Sequence, residues 1–351
     1  MLFRKRFNDL RLNPLLNYPQ YRKLNNEGGV FRFTGEIDSI TDGHTLWVRG
    51  EDLTIPVSLK KTKCWLLPIN DGEGIPEPPE QVRWNNVSTL SEGIKVFIGG
   101  QIKIQDNRTS FVSTKERPLT VIFYNCPDSA LTGEIIRCAR TRNEYWNNIT
   151  PVSIVIGALS LIYIAAYFVN RPAYRLTIIT ALVAVFLPIM PMFPPGLLLT
   201  LLYRRITWYA RKFRAYWDIV RLPMRYLQDG KESALLSTGE KYGFVKINSP
   251  SDTAENTPFL VSEYENEENP EWHFFGILTP ESSGENNTMP KSSSTDPFIS
   301  FGLLHGSPKR LASHYAIKAY TMEVFAWFLL LLGISINVVF IFVILSLLRI
   351  V

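Results

Sequence analysis

Cysteine and histidine are scarce in this chain, with three and four copies among 351 residues. Cys64, Cys126 and Cys138 stand far apart with no CxxC pair, which excludes a zinc-finger spacing and offers no disulfide framework. Unpaired structural thiols in a reducing compartment are the expectation, with a Cys126–Cys138 bridge the alternative for an exported domain. His44, His273, His305 and His314 are scattered, and none lies one helical turn from another ligand. A nucleophile elbow, a Walker loop and HExxH are all missing. Glu36 and Asp42 bracket a turn rather than flank a substrate bond. The sequence nominates no catalytic residue, cofactor or metal ligand, and the protein is expected not to be an enzyme.

Three windows, 151–169, 176–202 and 324–348, lack any Asp, Glu, Lys or Arg. Each exceeds the roughly 18 apolar residues that cross a hydrocarbon core of about 30 Å as a helix, so three transmembrane helices are predicted. The same lack of charge argues against a proton relay or an ion path. Asn337 is the one strongly polar amide of the last window, and its expected use is interhelical packing or self-association. The connector "NRPAYR" forces the first two windows into an antiparallel hairpin. The start, "MLFRKRFNDLRLNPLL", is basic but has no continuous apolar run and no small-residue cleavage site, so no cleavable signal peptide is expected.

Residues 1–29 read as a basic N-terminal arm that packs or touches lipid headgroups. From Val30 to residue 125 the pattern alternates: "VFRFTGEIDSI", "HTLWVRG", "LTIPVSL", "IKVFIGGQIKI", "TSFVST" and "LTVIFYN". Turn signals such as Asp42-Gly43 separate these runs, which predicts a small antiparallel β domain. Gly99-Gly100 falls where a bend would let one continuous strand serve both sides of a barrel. The pattern resembles an OB-like barrel in architecture. Phe31, Phe33, Trp47 and Arg49 would suit base stacking, but the same alternation fills a core, and no nucleic acid partner is expected. The Pro- and Glu-rich segment 68–82 reads as a surface loop outside the sheet. In the connector 126–150, Leu131, Ile135 and Cys138 share helical spacing.

Residues 203–222 carry the clearest amphipathic pattern. Ile206, Ala210, Phe213, Trp217 and Val220 recur on one helical face, surrounded by arginine and lysine. Over 203–228 there are seven basic residues against one acidic, whereas 229–300 has thirteen acidic against four basic. Arg204, Arg205, Arg211, Lys212 and Arg214 are assigned to anionic headgroups, with Trp217, and more weakly Trp208, as interfacial anchors. Residues 229–305 form an acidic, strand-containing module in which 279–296 looks disordered.

In "LPIMPMFPPGLLL", each internal proline removes a backbone donor. Pro188, Pro191, Pro194, Pro195 and Gly196 are therefore read as a helix hinge within 176–202. One helix stops before Pro194, and a second continues into the basic stretch. A single long helix is expected to begin near Ser307 and run into the last window.

The sequence reading is a multi-domain α+β membrane protein. It is placed in a bacterial-type cytoplasmic membrane, multi-pass, with the N-terminal domain cytoplasmic because positive charge gathers after the second window. Its expected function is a scaffold or accessory subunit whose partners are anionic lipids and other proteins, or a second copy met through the transmembrane helices. The alternative is a membrane-bound enzyme or transport-complex component without a recognisable motif.

Overall fold

A helix or strand forms here wherever the apolar period finds a second surface to cover, and the first such surface is a β-barrel. The computed structural model describes residues 2–24, 29–60, 62–68, 77–86, 93–105, 108–114, 117–141, 149–186, 196–227, 232–236, 238–247, 261–262, 272–278, 294, 296 and 298–347. The chain divides into two units: Met1–Arg142 with Ala215–His314, and Asn143–Arg214 with Tyr315–Val351.

In the first unit, strands β1 (Val30–Thr41), β2 (Thr45–Arg49), β3 (Thr54–Ser58), β4 (Lys63–Leu66), β5 (Glu80–Arg83), β6 (Lys95–Gln105), β7 (Arg108–Val112) and β8 (Thr120–Tyr124) form one sheet. Its order is β1-β2-β3-β7-β6-β8-β4-β5, and an added β1–β6 pairing closes five of the strands into a barrel. Neighbours are antiparallel except at β3–β7 and β4–β8. Gly99 is the last residue of β6 that pairs with β8, and Gln101 is the first that pairs with β7, so the glycine pair marks the change of partner. Gly35 is needed for a different reason, because a Cβ there would strike the backbone of Arg49. Asp42 and Gly43 both take positive φ, 53° and 63°, in the three-residue turn between the paired residues Thr41 and Thr45.

Phe33, Leu46, Val48, Ile55, Val57, Val96, Ile98 and Phe111 fill the barrel. Outside the barrel, Phe97 of β6 and Ile122 and Tyr124 of β8 meet α1 (Leu2–Arg11) and α3 (Asp128–Thr141) through Phe3, Phe7, Leu131 and Ile135. Strand β8 is buried on both faces, which explains its unbroken apolar sequence. The N-terminal arm is thus partly core: Phe3 and Phe7 are buried. Its second short helix, α2 (Tyr18–Arg22), is capped by Asn17, which accepts from Gln20 N–H at 3.0 Å. The segment 68–82 is not wholly outside the sheet, since Glu80, Gln81 and Val82 pair with β4.

The acidic segment contributes a five-stranded sheet, order β11-β13-β12-β10-β9. Its strands are β9 (Ser233–Leu235), β10 (Lys241–Ile247), β11 (Val261–Ser262), β12 (Trp272–Ile277) and β13 (Gly302–His305). Most of the stretch expected to be disordered lies outside the described residues, but its last residue, Asp296, is 3% exposed. The sequence marked it as spacer because its partner, Arg32, stands 264 positions away.

The second unit is helical: α4 (Ile149–Phe168), α5 (Arg175–Phe186), α6 (Gly196–Val220) and α7 (Pro308–Leu347), of which α6 and α7 also supply residues to the first unit. A short 3-10 turn, Pro172–Tyr174, joins α4 to α5, and Phe168 and Tyr174 pack ring to ring across it. Within the window 176–202 the described residues form two helices, α5 and α6. Pro188, Pro191, Pro194 and Pro195 lie outside the described residues. Among the described residues only α7 is long and apolar enough to cross a membrane. The apolar run described in α4 is Ile154–Phe168 and that in α5 is Leu176–Val185, each too short on its own. Three separate transmembrane helices, as the sequence predicted, are therefore reduced to one that meets the length and composition requirement.

Candidate functional site

In the second unit, apolar side chains face outward. On α4, Val155, Ile156, Leu159, Tyr163 and Tyr167 are exposed, Tyr163 at 72%. Leu176 and Leu182 are exposed on α5, and Leu197, Leu198, Leu201 and Leu202 on α6. On α7, Val324, Phe325, Trp327, Phe328, Leu331, Val339, Phe340 and Val343 are exposed around most of the helix circumference. A helix that packs only on its own protein keeps one apolar stripe against a core and turns polar residues outward. At 1.5 Å per residue, the apolar part of α7 from Val324 to Ile344 spans about 31 Å, close to the thickness of a hydrocarbon core.

Small residues line the contact between α6 and α7. Gly196, Thr200 and Ala210 are buried on α6, and Ala319, Ala326 and Gly333 on α7. A Cβ on Gly196 would lie 2.7 Å from Gly333 O and overlap the Asn337 amide. Asn337 is 2% exposed, and its Oδ1 accepts from the backbone N–H of Gly196 at 3.1 Å. The first N–H groups of a helix have no partner within it. Asn337 thus satisfies an α6 donor in the apolar part of the unit.

A polar and aromatic collar follows the leucines of α6. The Arg214 guanidinium makes two bonds to Glu323, Nε–Oε1 at 2.9 Å and Nη2–Oε2 at 2.8 Å. Tyr203 meets Trp327 with ring centroids 6.4 Å apart, Phe213 stacks on Tyr315, and Lys318 lies over Phe213. Trp208 packs on Tyr209 and under Lys212, whose Nζ is 5.7 Å from the ring centre. Arg204, Arg205 and Lys212 are exposed, while Arg211 is half-buried. The predicted apolar stripe is not left bare, because Ala210 and Val220 are buried and Phe213 is engaged by α7. Trp217 belongs to the first unit and sits beneath Arg221, 4.7 Å from ring centre to guanidinium carbon.

Sequence reasoning missed Glu323, although its position as the residue just before an uncharged run was a readable signal. It also missed the buried ionic groups of the first unit. Asp218 accepts from Arg4 and from Arg140, whose Nη2 lies 2.6 Å away, so one carboxylate ties together α1, α3 and the end of α6. Arg32 binds Asp296 through both terminal nitrogens and Asn13 O through Nε at 2.7 Å. Arg11 donates to Tyr226 Oη at 2.7 Å and Ser300 Oγ at 2.9 Å. Burial lowers the pKa of Arg225, and nearby Arg11 lowers it further. These groups join segments far apart in sequence.

Cys64, Cys126 and Cys138 stand as thiols. Burial pushes Cys64 up to about 12 and Cys126 up to about 11. Among the described residues no three His, Cys, Asp or Glu side chains gather as a metal site would require. Comparison with protein-family models, curated proteins and solved structures finds no match, so the functional reading rests on the geometry of this chain.

Proposed function

We propose that the protein is a membrane-anchored scaffold or accessory subunit that holds its strand-rich unit at a bilayer surface for partner proteins. The observation that carries this reading is the outward-facing apolar surface of α7, sized for a hydrocarbon core and bounded by a collar of tyrosine, tryptophan and arginine. Such collars suit the membrane–water interface, where aromatic rings and long cations bridge the two media.

In this reading α4, and α5 together with the start of α6, are two further spans, although the apolar run described in each is short. The twenty residues of α4 extend about 30 Å. Helix α5 and the seven residues 196–202 extend about 18 Å and about 10 Å, so together they make one broken span. Asn337 serves the break, because a helix that starts at membrane depth must have its leading donors satisfied by a neighbour. With Arg204 and Arg205 at its end, this topology makes the 203–308 stretch cytoplasmic. The barrel, whose connectivity is OB-like, then lies on that side as well. Arg204, Arg205 and Lys212 reach anionic headgroups, and Arg214 is committed to Glu323. The buried pair Arg32–Asp296 supports the scaffold role by tying the barrel to the acidic segment, and Asp218 with Arg4 and Arg140 ties α1 and α3 to the end of α6.

The test is alkaline extraction of membranes from cells making the full chain, followed by sizing of the detergent-solubilised protein. Retention in the extracted membrane and a stoichiometric complex are expected. Release into the supernatant contradicts the anchor. A monomer that turns over a defined substrate alone contradicts the scaffold.

A further inference from the structure

We propose that the cleft between the β1–β2 turn and the β4–β5 hairpin is a binding site for a compact phosphorylated group. The proposal is independent of the membrane reading, because the cleft lies wholly within the first unit. It is about 500 Å³ in volume and is lined by His44, Lys60, Thr62, Lys63, Arg83 and Trp84, with no carboxylate among its lining residues. Clefts of a few hundred Å³ suit small ligands.

Three observations converge. Lys63 and Arg83 are direct cross-strand partners on β4 and β5. Like charges directly opposite each other destabilise a sheet, so this pair costs stability unless an anion sits between them. Among the described residues, neither these two side chains nor Lys60 nor His44 has an ion-pair partner. Thr62 is 3% exposed, and its hydroxyl has no hydrogen-bond partner among the described residues. Buried hydroxyls are normally satisfied, and here a ligand oxygen would do it.

The walls are also fixed in advance. Trp84 Nε1 donates to Gly43 O at 2.7 Å, Leu59 N–H to His44 O at 2.7 Å, and Thr62 N–H to Leu59 O at 3.0 Å. A phosphate ester offers up to three acceptor oxygens and close to two negative charges, which matches several cationic tips around one hydroxyl. A single nucleic-acid strand would instead use a long groove with exposed rings for stacking. The Trp84 ring, 8% exposed, cannot stack on bases. The phosphate can belong to a free metabolite or to a lipid headgroup.

The test uses the full chain in neutral detergent, titrated by calorimetry with inorganic pyrophosphate and with dihexanoyl phosphatidic acid. Saturable binding to at least one is expected, weakened at least ten-fold in Lys63→Gln/Arg83→Gln. Thr62→Val, which keeps shape and charge, is expected to weaken it several-fold. Lys23→Gln/Arg117→Gln, which removes the same charge elsewhere on this unit, should leave it unchanged. Tighter binding of pyrophosphate identifies a free phosphate compound as the source, and tighter binding of the lipid identifies a headgroup; either supports the site. The proposal is overturned if neither probe saturates, if the double variant binds like the parent, or if a 20-nucleotide DNA strand binds more tightly than both through the same side chains.

Discussion

The carboxamide oxygen of Asn337 on α7 holds the backbone N–H of Gly196, the first residue of α6, at 3.1 Å. This one contact joins the start of α6, which follows the proline-rich sequence, to a long apolar helix. Asn337→Leu removes the acceptor and should destabilise the helical unit by about 1 kcal/mol in mixed-micelle unfolding. Gly196→Ala should cost more, because its Cβ meets Gly333 O and the Asn337 amide. Leu331→Ala, at an exposed position, should leave the midpoint unchanged.

Arg214 and Glu323 form a two-pronged but part-exposed pair, with 25% and 39% of their side chains accessible. A double-mutant cycle with Arg214→Gln and Glu323→Gln is expected to give a coupling of about 0.5–1 kcal/mol, shrinking in molar salt. A coupling near zero at low salt would assign Arg214 back to the headgroups.

Asp218 is 4% exposed and serves two arginines. Asp218→Ala strands both cations, and chemical unfolding should show a loss of about 3–5 kcal/mol. Arg4→Met should cost less, because Arg140 still pairs with the carboxylate.

These pairs show where sequence stops being informative. The barrel was legible because alternation, the Asp42-Gly43 turn and the Gly99-Gly100 bend are local signals. The continuity of α6 beyond Gly196 was legible for the same reason, since proline and glycine punctuate helices locally. Asp218 was hidden: in a basic helix it reads as one more exposed charge, and its partners lie 214 and 78 residues away. The apolar stripe of α6 showed its period, but periodicity does not name the surface it covers, and Phe213 covers Tyr315. The basic cleft at His44, Lys60, Lys63 and Arg83 comes from three separate segments, so no run of charge announced it.

The Cys64 thiol, pushed up to about 12 by burial, gives a pH signature. Below about pH 8.5, the ordinary cysteine value, folded and unfolded thiols are both protonated and its contribution is intact. As pH rises toward 12 the unfolded chain ionises first, so this contribution is lost. The stability difference between the parent and Cys64→Ala should therefore shrink from pH 8 to pH 10 in urea titrations. Iodoacetamide at pH 8, read by mass spectrometry, should modify part-exposed Cys126 first, and reach buried Cys64 and Cys138 only in denaturant.

The anchor itself is tested most directly by nitroxide labels at Val339 and at Lys318, on the full chain reconstituted in lipid nanodiscs. Val339 lies within the exposed apolar part of α7, and Lys318 precedes it. Power saturation should show Val339 accessible to oxygen and shielded from a water-soluble nickel chelate, with the reverse at Lys318. Equal access of the nickel chelate to both labels would contradict membrane insertion of α7.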